Sequence, residues 1–310
     1  VQAWQLVELD RPLQLREVEE PTAGPEDVVL RTRAAGICHS DLAYLDGTMR
    51  IGPLPFTLGH EIAGVVASVG PSVSTVRPGD RVAVNALVDG PGTWTDGGYA
   101  PLVRVAARHL VPIPDGVDFD QAAAATDAGR TAMHAVRVAG PLTADSRVGV
   151  IGLGGLGLLG AQIAVHRGAQ VVAAEPREDA HEAALRSGVR QVVPTVEDLA
   201  GLDLDVIIDF AGRGSTTDGA IGAVRDGGTV VQVGMGVRSA PIDLHRLTYK
   251  EVTLTGVLVG TNDDIAAVLH LVADGALSSV ITPVRFDELP EAHDRLRDGR
   301  AHGRMVIRFP

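Results

Sequence analysis

The sequence is poor in cysteine, lysine and aromatic residues, and each shortage removes a class of explanation. A single cysteine, Cys38, among 310 residues excludes an internal disulfide and any metal site built from several thiolates. Lys250 is the only lysine, and Asp plus Glu exceed Lys plus Arg by 39 to 27, a formal net charge of -12. Such a surface repels nucleic-acid phosphates and anionic membranes, so a small-molecule substrate is expected as the partner, with no nucleic acid and no membrane. No apolar stretch approaches the roughly 20 residues needed to span a bilayer. The chain opens on the strand-like Val1-Gln2-Ala3-Trp4-Gln5-Leu6-Val7 and not on a basic, apolar leader; with the lone cysteine this predicts a cytoplasmic location. Aromatics make up only 3% of the chain. Among them Tyr44 and Trp94, together with Leu258, are candidates to line a pocket, and equally to be ordinary core.

What is present, 45% hydrophobic and 21% charged residues, suits a globular chain long enough for two domains. Up to about residue 120 short alternating runs at 27–32, 62–70 and 81–84 are punctuated by proline and glycine, which predicts a barrel-like β domain. An alanine-rich helix is expected over 121–138. Strand candidates then alternate with helices at 148–152, 171–174, 206–210, 229–233 and 253–258, the pattern of a doubly wound parallel sheet. Helices over 263–274 and 288–298 flank an extended stretch at 279–286. A last strand at 304–309 is expected to return to the first domain.

Two motifs carry chemistry. Cys38 in Gly36-Ile37-Cys38-His39-Ser40-Asp41 and His60 in Gly59-His60-Glu61 pair a soft thiolate with an imidazole, ligands that a catalytic zinc favours. Further on, Gly152-Leu153-Gly154-Gly155-Leu156-Gly157 ends an apolar run and opens a helical pattern. Gly152 is expected to make the tight turn, Gly154 to admit a pyrophosphate, and Gly157 to let helix and strand pack closely. The helix N-terminus, with Gly155 and Leu156, would stabilise the diphosphate. Glu175 follows Gly157 by 18 residues (175 − 157), where an acid binds the adenosine ribose and repels a 2'-phosphate, favouring NAD over NADP. Arg177 beside it keeps NADP open and would also give Glu175 a plain ion-pair partner. Metal plus dinucleotide points to hydride transfer at a Lewis acid.

With these residues in this order, the chain resembles the zinc-dependent medium-chain dehydrogenases, the family of the zinc alcohol dehydrogenases, over nearly its whole length. The resemblance implies an α/β fold with a GroES-like β-barrel catalytic domain, 1–127 and 261–310, and a Rossmann coenzyme domain, 128–260. It implies a third zinc ligand in Thr126-Asp127-Ala128, here Asp127, whose alternative is to cap a helix beginning near Ala128; Glu61 is the reserve ligand and otherwise supports the others. Asp41 corresponds to the carboxylate that orients the ligand histidine, or else is a helix-start acid. Ser40 matches the hydroxyl that takes the substrate proton. His39 and Arg304 match positions touching the pyrophosphate, although Arg304 could equally pair with a surface acid, and Val233-Gly234-Met235 lies by the nicotinamide. The family's four-cysteine zinc lobe is missing between Arg81-Val82 and Gly97-Gly98-Tyr99-Ala100, so one zinc per chain is expected. Ala43 stands where many relatives carry a histidine that passes the proton to water. The implied activity is alcohol oxidation and carbonyl reduction. The alternatives are C=C or C=N reduction on the same fold and a non-catalytic nucleotide-binding protein. A homodimer through 253–260 is implied, with a tetramer as the alternative.

Overall fold

The computed structural model describes residues 1–49, 52–86 and 90–310, so Leu87, Val88 and Asp89, in the stretch where the sequence leads one to expect no zinc lobe, lie outside the described residues. In chain order the elements are β1 (Gln2–Leu6), β2 (Gln14–Glu17), β3 (Asp27–Ile37), α1 (His39–Leu45), β4 (Phe56–Thr57), β5 (Glu61–Val69), β6 (Arg81–Asn85), β7 (Leu102–Ala106), β8 (Leu110–Pro112), α2 (Phe119–Ala124) and α3 (Arg130–Val138). There follow β9 (Arg147–Ile151), α4 (Gly155–His166), β10 (Gln170–Ala174), α5 (His181–Arg186), β11 (Gln191–Val193), β12 (Leu204–Asp209), α6 (Ser215–Ala223), β13 (Val224–Gln232), α7 (Leu244–Tyr249) and β14 (Thr253–Gly256). Last come α8 (Asn262–Ala273), β15 (Ile281–Val284), α9 (Leu289–Arg297) and β16 (Arg304–Arg308). Two compact units result: Val1–Asp127 with Thr261–Asp274 and Ser278–Pro310, and Ala128–Gly260 with Gly275–Leu277.

In the first unit the strands β15-β16-β3-β5-β6-β8 form one sheet, with β7 also on β3, and β2-β1-β4 form a second. Alternating valines and isoleucines of β3, β5, β6 and β7 point inward and make a core of Val28, Leu30, Ile62, Val66, Val82, Val84, Val103 and Val105. The antiparallel register of β3 on β5 pairs Gly36 with Glu61 and Ala35 with Ile62. That register brings Cys38, just beyond β3, beside His60, just before β5. Strand β16 pairs with β3, so the chain end does return to this unit.

The second unit is a six-stranded sheet in the order β11-β10-β9-β12-β13-β14, parallel throughout. This is the doubly wound Rossmann order, in which ligands bind beyond the carboxyl ends of the strands where the winding reverses. The reversal lies at β9, and the glycine loop follows it directly. Helix α4 is largely apolar and buries Leu158, Leu159, Ala161, Ile163 and Ala164.

The helix expected over 121–138 is not uniform. It starts at Phe119, widens into a π-type turn over Ala125–Gly129 and resumes as α3 at Arg130. Asp127 therefore sits inside a helical run, not at a helix start near Ala128, which corrects the capping alternative. Trp94 and Leu258 are also not core: they are 47% and 56% exposed. Tyr44 is core, and its ring meets that of His60 edge-on at 6.1 Å.

Candidate functional site

Three elements of the first unit deliver one cluster. Cys38 caps the start of α1, His60 and Glu61 open β5, and Asp127 lies on the π-type turn. One donor atom from each of Cys38, His60, Glu61 and Asp127 falls within 4.8 Å of all the others. Cys38, His60 and Glu61 are buried, while the Asp127 side chain is 14% exposed. Cys38 Sγ is 3.3 Å from Asp127 Oδ2, which is 3.9 Å from His60 Nε2. Zinc bonds of about 2.0–2.3 Å set tetrahedral ligand atoms about 3.3–3.8 Å apart; the Cys38–Asp127 separation falls in that range and the Asp127–His60 separation lies just above it, so the donor set suits the ion with a small closing of one pair.

Glu61 is differently engaged. Its Oε1 pairs with Arg304, itself only 5% exposed, and Arg304 also lies 3.7 Å from Asp127 Oδ2. The partner of Arg304 is thus a buried acid, not a surface one. Gly36 is required here because a Cβ on it would stand 2.0 Å from the Glu61 carboxylate.

Asp41 ties the cluster together. Its Oδ2 accepts the Cys38 backbone N–H at 2.8 Å, and its Oδ1 faces His60 Nδ1 at 3.3 Å. Both expected roles, helix-start acid and histidine-orienting carboxylate, are compatible with this one placement. Burial alone would raise the Asp41 pKa, but the close approach of His60, with His293 and the Tyr99 hydroxyl around it, brings it below the usual value. Burial likewise opposes charge on His60, yet Asp127 and Asp41 outweigh it and hold its pKa well above the ordinary histidine value. Ser40 Oγ is 3.6 Å from Cys38 Sγ, and His39 is the exposed first residue of α1.

Two residues here escaped the sequence reading. Tyr99 is fully buried and its hydroxyl donates to Asp41 Oδ2 at 2.6 Å; His293 of α9, 3% exposed, lies against the Tyr99 ring at 6.0 Å. Burial first, then the charge of Asp41, raises the Tyr99 pKa well above its ordinary value, so the hydroxyl is a donor. The only sequence signal was the Gly97-Gly98-Tyr99 triplet.

In the second unit the three glycines divide the work of the loop. Gly152 has φ +83°, a Cβ on Gly154 would meet nothing within 4 Å, and one on Gly157 would lie 1.7 Å from the Gly152 carbonyl oxygen. A left-handed turn, an open cradle and a close helix–strand contact are what a pyrophosphate at a helix N-terminus needs. Gly154 caps α4 without a side chain, and Gly155, Leu156 and Gly157 form its first turn. Glu175, just past β10, accepts the Leu153 N–H at 2.7 Å and the Arg177 guanidinium at 3.0 Å. Val233 and Gly234 follow β13 and both donate to the Asp209 carbonyl, at 3.0 and 2.9 Å. The Asp209 carboxylate, unseen in the sequence reading, accepts from the Thr216 and Thr217 hydroxyls and from the amides of Ala211 and Gly212. Met235 beyond them is 64% exposed.

Residues 24–115 match the alcohol dehydrogenase GroES-like domain, and residues 155–274 match the zinc-binding dehydrogenase domain. An alcohol dehydrogenase of Geobacillus stearothermophilus is 31% identical, the match covering 96% of each protein. An NAD-dependent alcohol dehydrogenase of Saccharolobus solfataricus is 31% identical over 99% of each. Among solved structures, acetophenone reductase from Geotrichum candidum in complex with NAD superposes with a TM-score of 0.90 at 31% identity, covering 99% of this chain and 97% of that one.

Proposed function

The chain belongs to the zinc-containing medium-chain alcohol dehydrogenase family, and from that premise we propose that it interconverts a small-molecule alcohol and its aldehyde or ketone, with NAD preferred to NADP and one zinc held by Cys38, His60 and Asp127. The observation that carries this ligand set is the spacing of Cys38 Sγ, Asp127 Oδ2 and His60 Nε2, set against Glu61, which Arg304 already neutralises. A thiolate and one carboxylate then balance the two charges of zinc. When bound there, zinc supplies Lewis acidity toward a substrate oxygen, and NAD supplies the hydride acceptor.

The remaining work falls to side chains. Asp41 Oδ1 faces His60 Nδ1, the placement that would orient the ring with Nε2 as the ligand atom. Ser40 Oγ takes the substrate hydroxyl proton in oxidation and returns it in reduction. Ala43 offers no further acceptor, so the proton passes from Ser40 to a coenzyme hydroxyl or water. His39 and Arg304 are the basic groups proposed for the pyrophosphate, Glu175 for the ribose, and Val233 and Gly234 for the nicotinamide.

Elemental analysis of protein purified without added metal, beside Asp127→Ala, tests the reading. About one zinc per chain, lost in the variant along with alcohol oxidation while NADH binding persists, is the expected result. Zinc-free wild type that turns over alcohols at full rate, even after a reconstitution control, would overturn it.

A further inference from the structure

Tyr99 stands between the two metal-binding motifs without belonging to either. Its backbone N–H donates to Leu58 O at 3.1 Å, and Gly98 N–H to Gly59 O at 2.7 Å, lacing this loop to the residues just before His60. The ring lies across Gly59, whose φ is +94° and where a Cβ would come within 2.6 Å of the ring. On another side the ring meets His293 at 6.0 Å. A glycine in front and a histidine beside it leave the phenol one position, which places its hydroxyl 2.6 Å from Asp41 Oδ2 and 3.3 Å from the Gly36 carbonyl. A phenol has one proton to give, and the shorter contact to the carboxylate takes it.

We propose that Tyr99 is a positioning residue of the metal centre that acts through Asp41 on His60, an inference that rests on the reading of Cys38, His60 and Asp127 as zinc ligands. Two donors, the Tyr99 hydroxyl and the Cys38 N–H, hold Asp41 Oδ2. With that oxygen held, the carboxylate cannot rotate and Oδ1 stays aimed at His60 Nδ1. Rotation of Asp41 would free the imidazole and move the helix start that carries Cys38, so a single hydroxyl bears on two ligands. Removing it leaves every ligand and the Asp41 charge in place, yet frees the carboxylate to turn.

A double-mutant cycle on the full chain tests this, with Tyr99→Phe, Asp41→Asn and the pair, reading zinc affinity by chelator competition and the visible spectrum of the Co²⁺-substituted protein. Tyr99→Phe keeps the buried ring. It is expected to weaken zinc about tenfold, the lower end of the range for groups supporting a metal-bound histidine, and to shift the Co²⁺ bands while the metal-free protein melts within a few degrees of wild type. In the Asp41→Asn background the same change is expected to alter zinc affinity by less than about twofold, because the path through the carboxylate is already broken. An unchanged zinc affinity in Tyr99→Phe, or an equal loss in both backgrounds, would overturn the proposal and leave the ligand set standing. Wild type that takes up neither zinc nor Co²⁺ would overturn both.

Discussion

Each oxygen of the Glu175 carboxylate accepts two hydrogen bonds: Oε1 from the Arg177 N–H and Nε, Oε2 from the Leu153 N–H and the Arg177 guanidinium. Burial would raise the Glu175 pKa, but Arg177 and the two backbone donors bring it below the usual carboxylate value. The stability it contributes is therefore complete above the ordinary carboxylate range and is lost only as pH falls through the lowered value. The brace on the glycine loop holds at neutral pH. Arg177 offsets the acid that would repel a 2'-phosphate, so Arg177→Ala exposes that repulsion. We expect affinity for NADPH to fall about tenfold relative to NADH, the worth of about one charge-assisted hydrogen bond, measured by fluorescence titration of both coenzymes. Glu175 could be found by counting from Gly157, and Cys38 and His60 by their motifs. Tyr99 could not, because it lies 58 residues from Asp41 and a buried tyrosine is ordinary core until its hydroxyl is placed.

The turn at Ala125–Gly129 is where an element, not a residue, sets the chemistry. An α-helix advances 100° per residue, so the wider turn alters which face Asp127 presents relative to α2. Within it the Thr126 hydroxyl donates to the Ala123 carbonyl at 2.7 Å. Deleting Ala125 would let the run close as regular helix and turn Asp127 away by about 100°. Zinc content is expected to fall close to zero while circular dichroism stays near wild type; retained zinc would show that Glu61 serves in its place. The alanine-rich sequence announced a helix but not its widening, since α and π turns share composition and differ only in the carbonyl each N–H finds.

At the scale of the whole molecule, the net charge of -12 opposes contact between copies over most of the surface, so the homodimer expected from the sequence needs a local apolar patch. Strand β14 pairs with β13 on one side, and Leu254 and Leu258 are 37% and 56% exposed. An open strand edge with apolar side chains is a template for a second copy. The proposed homodimer would have twice the 32.3 kDa chain mass, and Leu254→Lys is expected to shift it toward the single-chain mass in light scattering without loss of zinc. The sequence by itself determined the fold class, because strand and helix periodicities and the turn residues between them are local, and it singled out Cys38, His60 and the glycine loop as candidates, because each motif is contiguous. Tertiary structure alone decided that Arg304 neutralises Glu61, that Asp127 faces Cys38, and that Tyr99 holds Asp41. These are contacts between distant segments, and strand register and helix phase, not residue identity, bring their atoms within bonding distance.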